Sequence, residues 1–86
     1  MKDGLHVNED GTKIWYLHGQ LHREDGPAIE CLDGYKAWFL HGVIHREDGP
    51  AIEQVGDTKE WYLHGTQYTE DEFILKTSKF WQKVLL

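Results

Sequence analysis

Histidine is the residue type in this chain best suited to chemistry, and four of the six histidines fall at a regular spacing. His18 and His22 are four residues apart, and so are His41 and His45. Imidazole nitrogens are common zinc ligands, so these four residues are candidate metal ligands. Residues four apart share a face only on a helix, however, and the glycine inside each pair indicates a turn. We therefore expect these histidines to act in turns and contacts between structural units, and we expect no cofactor. Metal binding and pH sensing remain alternatives.

The pentapeptide His-Arg-Glu-Asp-Gly is a second candidate for chemistry, and it occurs at residues 22–26 and again at 45–49. An acid, a base and a cation could perform general acid–base catalysis if they converged in a pocket. Neighbouring residues on a reversing loop rarely converge. We therefore expect Asp25 and Asp48 to set the turn, and Arg23 and Arg46 to pair with nearby carboxylates. We do not expect the chain to be an enzyme. An enzymatic or metal-binding role is the third hypothesis, after protein binding and self-assembly.

These motifs recur because the chain contains copies of one unit, about 23 residues long. Residues 11–33 and 34–56 are identical at fifteen of twenty-three positions. A third copy begins at Asp57, keeps the first half of the unit as far as Gly65, and then diverges. The period is marked by one tryptophan, one histidine and one glycine per copy: Trp15, Trp38 and Trp61; His18, His41 and His64; Gly19, Gly42 and Gly65.

Turn signals about every eight residues predict short strands, so the expected fold is mainly β, an antiparallel meander of three hairpins. The hairpins are expected to pair roughly residues 5–8 with 12–17, 27–31 with 35–40, and 50–54 with 58–63. The Asp-Gly pairs at 10–11 and 33–34 predict tight turns. Residues 1–86 should form a single domain, with repeats over 5–68 and a capping helix in 69–86. Thr69 and Glu72 form a capping box, and we expect the helix to run to about Lys83.

Period-two alternation assigns each strand residue to one of two faces. The face that is the same in all copies is expected to form the core: Trp15, Trp38, Trp61, Leu17, Leu40, Leu63, joined by Ile29 and Ile52. The opposite face varies between copies and carries an aromatic stripe. Aromatic side chains on a sheet surface are good binding candidates, so we expect a partner to bind at Tyr16, Phe39 and Tyr62, with Ile14 and Glu60 beside them.

The repeat unit resembles the MORN repeat, through the spacing Tyr35-x-x-Trp38-x-x-x-Gly42-x-x-His45 and the closing Asp-Gly. It is closer to a MORN-like subgroup in small phage and bacterial proteins, whose unit reads W-Y-x-x-G-x-x-H-R-x-D-G-P-A. Residues 15–28 and 38–51 match that unit, and the third copy matches over 61–65. The resemblance implies a hairpin meander with a scaffold or interaction role, and makes a phage-encoded accessory protein plausible.

Composition narrows the class of partner. The net charge is −6, which argues against binding to nucleic acid or to an anionic membrane surface. One cysteine, and no apolar run of membrane-spanning length, favour a cytoplasmic protein, in the host cytoplasm if the chain is phage-encoded. We expect a non-enzymatic module that binds another protein, with inhibition of a host enzyme or defence complex as the most concrete version. The acidic repeats could also mimic nucleic acid. The alternative is a self-assembling homodimer joined at the open edge of the N-terminal strand.

Overall fold

A computed structural model of the chain describes residues 2–78. Over this range it contains ten strands and one helix. The strands are β1 Gly4–Val7, β2 Lys13–Leu17, β3 Gln20–Leu21, β4 Ile29–Glu30, β5 Lys36–Ala37, β6 Phe39–Leu40, β7 Val43–Ile44, β8 Ile52–Glu53, β9 Lys59–Leu63 and β10 Thr66–Tyr68; the helix is α1 Glu70–Thr77.

The strands form an antiparallel sheet in the order β1-β2-β4-β5-β8-β9-β10. β3 pairs with the second half of β2, and β6 pairs with β7. The mainly β class, the antiparallel pairing and the C-terminal helix predicted from the sequence are confirmed. Within residues 2–78, no helix is long and apolar enough to cross a membrane.

Each copy turns at two kinds of loop. The two-residue turns are at His-Gly, where for example Leu17 pairs directly with Gln20 across His18 and Gly19. Both central residues have positive φ, 51° at His18 and 79° at Gly19, as a type I′ hairpin turn requires. The loops at Asp-Gly have three residues, the number that the predicted hairpins leave between their strands. The backbone carbonyl of Cys31 accepts the N–H of Gly34, and the N–H of Cys31 donates to the carbonyl of Tyr35, so residues 32–34 form the loop.

The register across this loop corrects the face predicted for two isoleucines. It places Ile29 opposite Ala37 rather than Trp38. A shift of one residue moves a strand's side chains to the other face. Ile29 and Ile52 therefore lie with Ile14 rather than with the tryptophans, contrary to the sequence-based assignment.

The core is also smaller than predicted. The fully or nearly buried apolar residues in the described chain are Ala28, Ala37, Ala51 and Phe73, whereas the tryptophans and leucines expected to form the core are only partly buried. The backbone explains the burial of the small residues. Ala28 accepts a hydrogen bond from the N–H of Trp15 and donates its own N–H to Ala37, both at 2.8 Å, so strands flank it on both sides.

One face carries the tryptophans and is called here the tryptophan face. A row of alternating charge crosses this face, since the register pairs Lys13 with Glu30, Glu30 with Lys36, Lys36 with Glu53, and Glu53 with Lys59. Opposite charges on directly paired strand residues stabilise the pairing. This row also supplies the glutamates that hold the arginine loops described below.

Helix α1 begins as predicted. The hydroxyl of Thr69 accepts the N–H of Glu72 at 3.2 Å, and the Glu72 carboxylate accepts the N–H of Thr69 at 2.9 Å. The Nζ of Lys76 on this helix is 5.3 Å from the ring centre of Tyr68, which pairs with Trp61. The predicted continuation beyond residue 78, to about Lys83, lies outside the described residues.

Candidate functional site

The second face of the sheet carries a row of mostly apolar side chains that crosses six strands. The register pairs each member with the next: His6, Ile14, Ile29, Ala37, Ile52 and Glu60. We call the surface built around this row the isoleucine face. The arginine loops pack on the opposite, tryptophan face, where Arg23 and Arg46 lie over Trp15 and Trp38. On the isoleucine face the isoleucines of the row are partly buried and Ala37 is 1% exposed.

The residues predicted to bind a partner belong to this face. Ile14 and Glu60 are members of the row. Tyr16 and Tyr62 lie two residues further along the same strands, and Phe39 occupies the corresponding position of the second copy. All five are partly buried rather than fully exposed. Tyr16 and Tyr62 lie on β2 and β9 of the main sheet, whereas Phe39 lies on β6, which pairs with β7 in a separate two-stranded sheet.

The N-terminal end of the face is packed by residues that the sequence did not single out. The His6 ring stands edge-on to Tyr16, with 5.2 Å between the ring centres. Lys2 places its Nζ 5.1 Å from the centre of the same tyrosine ring. The Nε2 atom of His6 is buried without a hydrogen-bond partner in the described chain. The Tyr16 ring therefore contacts both His6 and Lys2.

The other end of the face holds a polar group that we call the Glu60 cluster, formed by Gln54, Glu60, Tyr62 and Gln67. The carboxylate oxygen Oε1 accepts from the Tyr62 hydroxyl at 3.1 Å and from the Gln67 amide at 3.3 Å. Oε2 accepts from the Gln54 amide at 3.4 Å. The sequence analysis identifies Glu60 and Tyr62 but not the two glutamines. Gln54 lies in the loop after β8 and Gln67 on β10, and only strand pairing brings them to Glu60 on β9.

The carboxylate affects the neighbouring phenols. Burial raises the pKa of Tyr62, and the hydrogen bond to Glu60 and its negative charge raise it further. Burial also raises the pKa of Tyr35, with smaller contributions from the charges of Cys31 and Glu60. The charge of Glu60 therefore acts on both phenols.

The histidines meet between copies rather than within them. The rings of His22 and His41 are 4.3 Å apart between centres, and those of His45 and His64 are 4.4 Å apart. In each pair, Nδ1 of the first histidine accepts the backbone N–H of the second, at 2.9 Å and 2.8 Å. These are joints between successive copies.

At the N-terminal end an aspartate replaces the imidazole. The backbone N–H of His18 donates to the carboxylate of Asp3 at 2.6 Å. The equivalent N–H groups of His41 and His64 donate instead to a histidine Nδ1. For the candidate metal ligands His18, His22, His41 and His45, the described chain contains no group of three or more His, Cys, Asp or Glu side chains arranged to hold a metal ion.

The two His-Arg-Glu-Asp-Gly loops fold back over the tryptophans. Arg46 donates from Nε to Asp48 at 2.8 Å, and from Nη1 to Glu53 at 2.9 Å and to the carbonyl of Pro50 at 3.0 Å. Its guanidinium carbon lies 3.8 Å from the ring centre of Trp38. The expected pairing of arginine with neighbouring carboxylates is confirmed, whereas the stacking on tryptophan was not predicted.

Arg23 makes the same set of contacts in the first copy, with Asp25, Glu30, Pro27 and Trp15. A groove of about 640 Å³ lies between the two loops, with Trp38 and Leu40 among its lining residues. The arginines that line it are already engaged with carboxylates of their own loops and strands. The loops therefore cover part of the tryptophan face.

Comparison of the chain with known protein families, curated proteins and solved structures finds no match. The functional proposal therefore rests on the isoleucine face and on the contacts described above.

Proposed function

We propose that this chain is a non-enzymatic interaction module that binds another protein through its isoleucine face. The observation that carries the proposal is the apolar row from Ile14 to Ile52, which crosses the sheet on the face opposite the arginine loops and whose isoleucines keep part of their surface exposed. Apolar surface left in water costs free energy that a partner recovers by covering it. Partly buried aromatic side chains beside such a row are typical binding hot spots.

The MORN-like resemblance of the repeat supports a more specific version of this proposal. In this version the chain is a phage-encoded accessory protein that acts in the host cytoplasm and inhibits a host enzyme or defence complex. The net charge of −6 favours a basic protein surface as partner over nucleic acid or an anionic membrane.

Affinity capture with a triple variant tests the proposal. The substitutions Tyr16→Ser, Phe39→Ser and Tyr62→Ser remove the aromatic stripe, and we expect loss of the partner that the unmodified chain retains. Circular dichroism confirms that the variant is folded. The matched control is Leu32→Ser with Val55→Ser, because these exposed apolar residues lie in hairpin loops and are not part of the aromatic stripe. Equal capture by the folded triple variant and the unmodified chain contradicts the proposal.

Self-assembly is the second candidate function, and the edge of β1 supports it. The backbone N–H of Asn8 donates to the carbonyl of Thr12. Backbone groups alternate in direction along an antiparallel strand, so those of Leu5 and Val7 point away from β2. Their side chains are 49% and 59% exposed. Two copies could therefore pair through β1 and extend the sheet. Sedimentation at micromolar concentrations tests this: a dimer that becomes a monomer with Val7→Lys supports it, and a monomeric unmodified chain excludes it.

A further inference from the structure

The third copy differs from the others around Tyr62. Glu60 occupies the position held by Ile14 and Ala37 in the earlier copies, and Gln67 occupies the position of Leu21 and Ile44. Both replace an apolar residue with a polar one. The two side chains are hydrogen-bonded to each other, at 3.3 Å.

Gln54 shows the same kind of change, since it stands where the preceding copy has Cys31. Its amide donates to the second oxygen of the Glu60 carboxylate. Three polar residues from β9, β10 and the loop after β8 thus converge on one point of an otherwise apolar face. Placing a charge in such surroundings costs free energy unless another group compensates it.

The Glu60 carboxylate has no cationic partner within residues 2–78, and in this it differs from the glutamates of the other face. Glu30 lies 3.2 Å from Arg23, and Glu53 lies 2.9 Å from Arg46. The hydrogen bonds to Glu60 come from neutral groups and leave part of its acceptor capacity open. The carboxylate is therefore held in position but not neutralised.

We propose that the Glu60 cluster anchors a cationic side chain, lysine or arginine, of the protein that docks on the isoleucine face. This inference rests on the proposed function, because the apolar row supplies the rest of the docking surface. An incoming ammonium or guanidinium group neutralises Glu60, and the Tyr62 and Tyr35 rings nearby favour a cation. The partner is accordingly a protein that presents a basic residue flanked by apolar ones.

The test uses the full chain and two short peptides as probes. N-acetyl-Leu-Arg-Leu-amide is titrated into ¹⁵N-labelled protein and compared with N-acetyl-Leu-Gln-Leu-amide, which has the same apolar residues without the charge. We expect the arginine peptide to bind about ten-fold more tightly. Its chemical-shift changes should centre on Gln54, Glu60 and Gln67.

Three variants separate the charge from the apolar surface. Glu60→Gln should make the two peptides bind equally, whereas Glu9→Gln, the same change in an exposed loop, should preserve the difference. Ile29→Ser should weaken both peptides. The spectra themselves show whether each variant is folded.

Equal affinity of the unmodified chain for both peptides, or shifts centred on the acidic loops at residues 24–25 and 47–48, overturns the inference. If Ile29→Ser still weakens both peptides in that case, the proposed function stands and only the cationic anchor fails. If Ile29→Ser has no effect on either peptide, the docking face itself is wrong.

Discussion

The guanidinium group of Arg46 is enclosed between the Trp38 ring and the backbone of Gly49. The guanidinium carbon is 3.8 Å from the ring centre, and a Cβ added at Gly49 would stand only 2.8 Å from that same carbon. Gly49 does not have a positive φ, so glycine is needed here for close approach rather than for an unusual backbone conformation. Gly26 and Arg23 repeat the arrangement in the first copy.

Gly49→Ala should therefore destabilise the protein by forcing Arg46 off Trp38. We expect a loss of about 1–3 kcal/mol, the usual cost of overpacking a close contact. Urea unfolding measures the loss. The control is the same substitution in an Arg46→Ala background, where the methyl group meets no guanidinium and should cost much less. Equal costs in the two backgrounds contradict the enclosed arginine.

Comparing two histidine turns measures how much a histidine ring pair contributes to stability. His18 and His41 both adopt a left-handed backbone, with φ of 51° and 50°, in which glycine has no steric penalty. His41 also stacks on His22, whereas His18 has no such ring partner among the described contacts. His41→Gly should therefore be less favourable than His18→Gly by about 0.5–1.5 kcal/mol, as measured by thermal unfolding. Identical changes for the two substitutions would show that the ring pair contributes nothing.

Helix α1 should lose its capping box in acid. The hydrogen bond from the backbone N–H of Thr69 lowers the pKa of Glu72 below its ordinary value. A carboxyl whose folded pKa is depressed contributes stability above its unfolded pKa and loses it as the pH falls through the folded pKa. Helical circular dichroism should thus decrease over that window. Glu72→Gln cannot ionise, so it should lack this decrease in helical circular dichroism. The prediction is contradicted if the signal falls with pH in the same way in the variant and the unmodified chain.

Ala51 should not tolerate a larger side chain. It is fully buried, its carbonyl accepts the N–H of Trp38, and its own N–H donates to the backbone carbonyl of Glu60. Ala51→Leu should cost about 1–3 kcal/mol because the larger side chain must displace the groups that bury Ala51 on the tryptophan face. Val55→Leu, which enlarges an exposed loop residue, serves as the control and should be close to neutral in urea unfolding. A stable Ala51→Leu variant would show that this position can repack.

Local signals predicted part of this fold well. The capping box of Thr69 and Glu72 depends on residues three apart, so the sequence alone identifies it. The strands and the sheet class follow from repeated turn signals for the same reason. The predicted hairpin of residues 27–31 with 35–40 leaves the loop at 32–34 that the structure has, but the face predicted for Ile29 is wrong because this register places it opposite Ala37.

For the candidate site, too, local patterns predict some of the residues and long-range strand pairing determines the others. Alternation along β2 and β9 places Ile14 with Tyr16 and Glu60 with Tyr62, and this much is visible in the sequence. The addition of Ile29 and Ile52 to that face depends on strand register, which pairs Ile29 with Ile14 and Ile52 with Ala37. The convergence of the two glutamines on Glu60 depends on pairing between distant segments, which composition and periodicity do not report.

The joint at the N-terminal end has a consequence for how the molecule opens. Asp3 holds the turn of the first copy, and His45 holds the turn of the third; each described joint of this kind links one copy to the next. A chain held by nearest-neighbour links can unzip from one end while the other stays closed. Amide hydrogen exchange should therefore follow a gradient along the chain, and the loss of Asp3 should accelerate exchange at the N-terminal hairpin well before the third copy is affected.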